Sequence, residues 1–477
     1  MPNSVSRANW QFVLGAGLIA ILLLWPAWLN GQPILFPDSI GYERAGAVSL
    51  HAAGIAADKR AAAADAAPAA GAGVEHGRNG ITTARSPFYG VPIAMLIALG
   101  GAWLAVGAQA LIVAVALLLA LRRLGVQLPT AVASLVALAA ASGIAVFSVA
   151  LMPDVFLGLM ILGFALVLAT PTLPRRELWL WLVLITGAML FHRAFLAVGM
   201  LMTVAALLLE SRFGFRRVTL IVLAGCCLIG AAGHFVVEVA VKLYSGRESV
   251  GVPFLLARYG ESPVLIDYLA ENCDPPRFAL CRYRDRLPLA PDEFLWGAHN
   301  IYSSAPELDR RAIAAEQNEV LHGAFAARPV AAALEAMRGS AQQFFTVGMD
   351  DFAIGIPATT AIDTLMTPTM RDYPASRIAL HSFPFGPMAR LALVAYLAGF
   401  AGLIVALWRS APARLSKTAP DVVAVAVLVI TGVTLNAIVS GTLSGVFDRY
   451  QGRIAWLIPF MAVAALVARR QRATVPV

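Results

Sequence analysis

The chain has 477 residues, of which 59% are hydrophobic and only 13% charged, with a mean hydropathy of +0.74. A water-soluble globular protein carries roughly 45–50% apolar and about 25% charged residues, so the composition excludes that class and points to an integral membrane protein. The formal charge of +8 is not the mark of a nucleic-acid binder, because the basic residues gather in one set of loops between apolar stretches.

The strand alternation of a membrane barrel is absent, which leaves a bundle of helices. The first apolar stretch, Trp10 to Leu29, exceeds a signal-peptide core and has no small-residue cleavage site after it, so it is expected to remain as an anchor. "LFPDSIGYERAG", residues 35–46, follows at once and sets Asp38 and Tyr42 within about ten residues of the membrane exit. An Ala-rich insert over 52–74 then leads to "TARSPFYG" with Arg85. Pro87 to Gly100 is apolar but stands too close to the next span to cross by itself, and suits an interfacial or re-entrant helix. Further spans are expected over about 101–121, 129–149, 155–170, 178–191, 194–209, 217–241, 389–408, 421–441 and 453–469.

Arginine and lysine orient these spans. Arg7, Arg122-Arg123, Arg175-Arg176, Arg212/Arg216/Arg217, Arg409/Arg414/Lys417 and Arg469/Arg470/Arg472 make 14 basic residues, against Glu177, Glu210 and Asp421. Segment 243–388 holds 12 basic and 17 acidic residues, and segment 30–86 five of each. The expectation is that both termini are cytoplasmic while 30–86 and 243–388 lie outside. Both loops flanking 178–209 are arginine-rich, so that stretch must cross an even number of times. It therefore reads as two short helices turning at "FHRAF", with His192 and Arg193 at the outer turn. The total is ten crossings. The domain reading is a transmembrane module over 1–242, with its first outer loop at 30–100, an extracytoplasmic domain over 243–388, and C-terminal helices over 389–477.

Asp38, Asp154 in "LMPDVF", the His192-Arg193 pair, Arg85, and Asp448, Arg449, Tyr450 and Arg453 in "DRYQGRIAW" thereby converge on one membrane face. Charges at the hydrocarbon edge are costly and are kept where they face a cavity or a partner. Each also has a plainer reading: Asp154 can cap a helix N-terminus, and Arg193 and Arg449 can snorkel to headgroups.

"PDSIGY", "RSPFYGVP", "MPDVF", "HR" between two short helices and "RY" opening the last span resemble the C-type membrane glycosyltransferases. That superfamily includes the bacterial relatives of protein O-mannosyltransferases and lipid A aminoarabinose transferase. The resemblance covers about the first 210 residues and, loosely, the C-terminal spans. It implies an all-α enzyme with outer interfacial helices. It further implies a polyprenyl-phosphate-linked sugar as donor and a lipid, glycan or protein acceptor at the outer face of a bacterial inner membrane. Asp38 and Asp154 would be the catalytic carboxylates. Arg85, Arg193 and Arg449 would hold the donor phosphate, with Tyr42, His192 and Arg453 as further substrate contacts. The Ala-rich insert departs from the family pattern.

The chemistry fits these residue types without the family. Transfer from a phosphate ester places negative charge on the leaving phosphate, which arginine forks stabilise, while a carboxylate orients or deprotonates the acceptor hydroxyl. Two carboxylates can hold a divalent ion, but no DxD or DxE pair is present, and neither metal nor cofactor is expected. Cys273 and Cys281, eight apart in an oxidising compartment, are expected to pair. Two other classes stay open. One is a lipid-linked sugar carrier using Asp154, Glu238 and Lys242; the other is a noncatalytic membrane scaffold. The lack of an internal repeat weighs against the carrier.

Overall fold

The computed structural model describes residues 2–55, 85–170, 172–245, 251–356, 371–408 and 421–473. Most of the Ala-rich insert and the Arg409/Arg414/Lys417 loop lie outside these residues. The described chain is helical, with no named strand and a single isolated bridge between Ile34 and Ala150. Seven of its helices are long and apolar enough to cross a membrane: Asn9–Asn30, Pro87–Arg123, Arg193–Phe213, Arg217–Leu243, Phe385–Trp408, Val422–Leu443 and Asp448–Val467. Leu128–Ala141 and Asp154–Ala169 are shorter apolar helices. This is an all-α membrane protein.

Asp154–Ala169 is apolar all round, and every one of its residues is buried, as expected of a helix with neighbours on all sides. It packs against Arg175–Phe191, Arg193–Phe213, Val422–Leu443 and Asp448–Ala455 among others. The bridge at Ile34 ties the strand-like exit of the first span to the chain just ahead of this helix: Ile34 N donates to Val149 O (3.2 Å) and Leu151 N to Ile34 O (3.0 Å).

The first-loop helix, Pro37–Ala52, crosses the start of Pro87–Arg123 where two glycines meet. A Cβ on Gly46 would stand 2.1 Å from the Gly90 carbonyl oxygen, so only glycine lets the backbones approach this closely. Pro87–Arg123 is not one rod. Gly100 and Gly101 leave helical torsions, Gly101 with φ +74°, a conformation glycine adopts freely. The Tyr89 hydroxyl donates to Gln109 Oε1 (3.0 Å) across this break, so the arm from Pro87 folds back on the following span. The expectation that Pro87 to Gly100 is separate from the second span agrees with this geometry.

Arg175–Phe191 and Arg193–Phe213 are likewise separate, with an extended residue, His192, between them. Met189 packs against Gly199, which makes the two a hairpin. One expected element is corrected. The stretch 129–149 is not a single helix but Leu128–Ala141 followed by the short, wholly buried Ile144–Val149. Ser142 takes an extended conformation between them, and its hydroxyl bonds back to Leu138 O (2.7 Å).

Segment 243–388 divides by its packing. Leu256, Leu265, Phe294, Ile301, Ile313 and Leu321 belong to a core of their own, closed by a disulfide between Cys273 and Cys281. Val347, Met349, Phe352, Tyr373 and Ile378 join the core of the spans instead. Residues around Tyr373 fold back over the first exit, where Asn30 Oδ1 accepts from Ile378 N (3.0 Å) and Leu35 O accepts from the Tyr373 hydroxyl (3.2 Å). Cys226 and Cys227 are buried free thiols.

Candidate functional site

Six chain segments bring charged residues to one end of the bundle. Asp38 stands in the first turn of Pro37–Ala52, where the helix dipole favours a carboxylate and Pro37 supplies the ready-made first residue. The Gly46–Gly90 crossing sets this turn beside Arg85, immediately ahead of Pro87. Arg85 forms an ion pair with Asp38, and its guanidinium lies 5.8 Å from the centre of the Tyr42 ring. Arg449, in the first turn of Asp448–Ala455, comes from the far end of the sequence. Its Nη2 is 3.8 Å from Asp38 Oδ2, and its guanidinium lies 4.2 Å from the Phe36 ring centre and 5.1 Å from that of Tyr450. Asp38 is thus shared by two arginines.

Arg449 has a second carboxylate partner that sequence reasoning missed. Asp351 Oδ2 is 3.8 Å from Arg449 Nε and accepts from Arg449 N (3.3 Å). Asp448 returns the contact, accepting from Asp350 N through Oδ2 (2.7 Å) and from Asp351 N through Oδ1 (3.4 Å). The two helix starts, Asp350–Ile354 and Asp448–Ala455, cap one another. No local motif marks Asp351, since its partner is 98 residues away; the only sign was a pair of adjacent aspartates, Asp350-Asp351, in an otherwise apolar run.

The charge balance follows from these contacts. Burial alone would raise the Asp38 carboxyl, but the Arg85 and Arg449 guanidiniums hold it below the ordinary carboxylate value. Asp351 moves the other way, to about 7, because burial and the Asp448 carboxylate both oppose its ionisation. Asp292, in the short helix Pro291–Leu295, has its carboxyl raised by desolvation. His192 is pushed down to about 3 by burial, with Arg453 and Arg85 adding to the effect, and is neutral at physiological pH. Its Nδ1 accepts from Ala194 N (3.1 Å), and its ring stacks on Phe195 at 5.0 Å.

One layer deeper lies a second acid–arginine pair. Arg453 Nη1 donates to Asp154 Oδ1 (2.9 Å) and Nη2 to Asn436 Oδ1 (3.1 Å). The guanidinium sits between the Phe195 and Tyr450 rings, 5.0 Å from each centre. Both charged side chains are almost fully enclosed, at 3% and 4% exposure. Asp38, Arg85 and Arg449 keep 15%, 22% and 13%.

Of the residues singled out from sequence, Asp38, Tyr42, Arg85 and Arg449 therefore meet directly. Asp154 and Arg453 form the floor beneath them, and His192 lies within electrostatic reach of both layers. Arg193 points elsewhere, into an exposed ion pair with Glu238. Chemically, the upper layer offers two guanidiniums to an anion, one carboxylate that stays ionised and one that holds a proton near neutrality. No protein-family model, no curated protein and no solved structure matches this chain.

Proposed function

We propose that this protein is a membrane glycosyltransferase that moves a sugar from a polyprenyl-phosphate donor to an acceptor at the outer face of the plasma membrane. The observation that carries the proposal is the partly open Asp38–Arg85–Arg449 cluster at one end of the bundle. A lipid phosphate reaching this end of the bundle would meet two guanidiniums there, and arginine forks suit phosphate oxygens. Apart from Arg193, the charged residues of the motifs that resemble the C-type membrane glycosyltransferases come from distant parts of the sequence and lie in or beneath this cluster.

In the reaction, the acceptor hydroxyl oxygen bonds to the anomeric carbon as the bond from that carbon to the phosphate oxygen breaks. The polyprenyl phosphate departs with the electron pair, held by Arg85 and Arg449. The hydroxyl proton needs a base. Asp38, with its proton affinity lowered by two arginines, is better suited to orienting the acceptor and offsetting charge at the anomeric carbon. Asp351, whose carboxyl is pushed up to about 7 by burial and the Asp448 carboxylate, is the better matched proton acceptor. Asp154 acts from below by fixing Arg453 and the helix that carries Arg449.

The same reading includes ten crossings with both termini cytoplasmic and an extracytoplasmic 243–388. It is supported by the meeting of residues 38, 85, 154, 192, 351 and 449 at one end. Such a meeting needs an even number of crossings between each consecutive pair, and the expected spans supply none or two in each interval, with one more at either end. A carrier would need charges free to exchange partners along the bilayer. Asp154 is enclosed with Arg453, and Glu238 is held by Arg193, so nothing favours that alternative.

Mass spectrometry of envelope glycans and glycolipids, from cells with and without the gene, tests the proposal. One sugar should be missing without the gene, restored by the wild-type gene but not by Asp38→Asn. A glycan profile unchanged by deletion would contradict it.

A further inference from the structure

The helix Pro329–Phe345 follows an Arg328 turn from Glu307–Ala327, yet the two present opposite kinds of surface. The large exposed apolar residue of Glu307–Ala327 is Leu308. Pro329–Phe345 exposes Val330, Leu334, Met337 and Phe345, at 60–71% each. Their spacing of four, three and eight residues puts them on one stripe of the helix. Its other face is packed. A Cβ on Gly339 would stand 2.6 Å from Gly441 O, and Gln343 exchanges two hydrogen bonds with the Phe447 backbone (2.7 and 3.0 Å). Glu335 turns inward, within 3.6 Å of Arg258.

The end of this helix packs on the middle of a span. Phe344 rests against Tyr396 (6.0 Å) and Phe400 (5.7 Å) of Phe385–Trp408. At 1.5 Å per residue these positions are about 16 and about 22 Å along the axis from Phe385. Val394 and Leu397 of the same span and Ile438 of Val422–Leu443 are likewise apolar and exposed.

We propose that Pro329–Phe345 is a re-entrant membrane helix whose Val330–Leu334–Met337–Phe345 stripe rests in the acyl chains of the outer leaflet. Backbone at such a depth must be satisfied within the protein. The turn meets that demand: Thr346 N donates to Gln342 O (3.0 Å), and Gly348 N donates to Asp448 O (3.2 Å). Three residues after Gly348 the chain reaches Asp351. The lipid-seated helix is therefore the element that delivers Asp351 to Arg449. The inference needs only the membrane fold and stands whether or not the protein is a transferase.

Nitroxide labels on Leu334→Cys, Met337→Cys and Phe345→Cys, one at a time, in the full chain reconstituted into phosphatidylcholine vesicles, test it. Leu308→Cys is the aqueous reference. Power saturation should give a higher ratio of oxygen to nickel-chelate collisions at all three positions than at 308, and highest at 345. Nickel chelate reaching 337 and 345 as freely as 308 would overturn the proposal by placing the stripe in water. Protection of both from either reagent would overturn it by placing the stripe against protein. The three side chains are exposed, so labelling leaves the packed face intact, and any one folded variant is decisive.

Discussion

The protein holds two acid–arginine clusters stacked at one end of the bundle, and they differ in enclosure far more than in chemistry. Asp154 and Arg453 are shut between aromatic rings with Asn436 as a third partner. Asp38, Arg85 and Arg449 carry the same groups one layer higher, with each side chain partly exposed. A closed pair cannot release its arginine without stranding a charge, whereas an open one can trade a carboxylate for a phosphate. On the proposed function, the closed pair is structural and the open cluster binds the donor.

The largest effect is expected in the lower cluster and on folding. Arg453→Met leaves the Asp154 charge enclosed without its partner and should cost about 3–5 kcal/mol, the usual penalty for breaking a buried pair. The measure is the fraction of detergent-purified protein that stays monodisperse on heating. Arg453→Met combined with Asp154→Leu should recover much of the loss; no recovery would show that the pair is more than structural.

The upper cluster should lose binding rather than fold. Arg85→Ala removes one charge-assisted contact, worth about 1.5–3 kcal/mol, so the donor concentration for half-maximal transfer should rise by roughly 10–100-fold. Protein yield should be unaffected. An equal loss of folded protein in Arg85→Ala and Arg453→Met would erase the distinction between the two layers.

The pH profile sharpens the same division. Asp351 is raised to about 7, so it is protonated below that pH and becomes a competent base above it. Transfer should therefore fall as pH drops through about 7, and Asp351→Asn should lose this limb together with most of the rate. Asp38, shifted downward, stays ionised throughout and adds no limb of its own. The smallest effect belongs to Arg193→Gln. Its pair with Glu238 is half exposed, worth under about 1 kcal/mol, and turnover and stability should both stay near wild type.

What the sequence made legible was local. Apolar runs placed most helices, proximity to a membrane exit marked Asp38, and arginines on both sides of 178–209 called for the break found at His192. Long-range partners left no trace. Asp351 depends on a reciprocal cap with a helix start 98 residues on, and Arg193 finds Glu238 rather than the cluster its neighbour faces. The interruption at Ser142 was hidden because small apolar residues continue on both sides of it. In Pro329–Phe345, Glu335, Arg338, Gln342 and Gln343 dilute the apolar stripe and conceal it in the sequence. Only the packing of Glu335 against Arg258 and of Gln343 against Phe447 shows which face is turned inward.

The central claim is that the open cluster performs chemistry, and Asp38→Asn in a reconstituted transfer assay tests it most directly. The substitution keeps size and most hydrogen bonding while removing the charge that both arginines face. Transfer should fall by about 10²-fold or more, the scale of a positioned catalytic group, with insertion and thermal stability unchanged. Full activity of Asp38→Asn would contradict the account, leaving the fold and the two-layer arrangement without a glycosyl-transfer role.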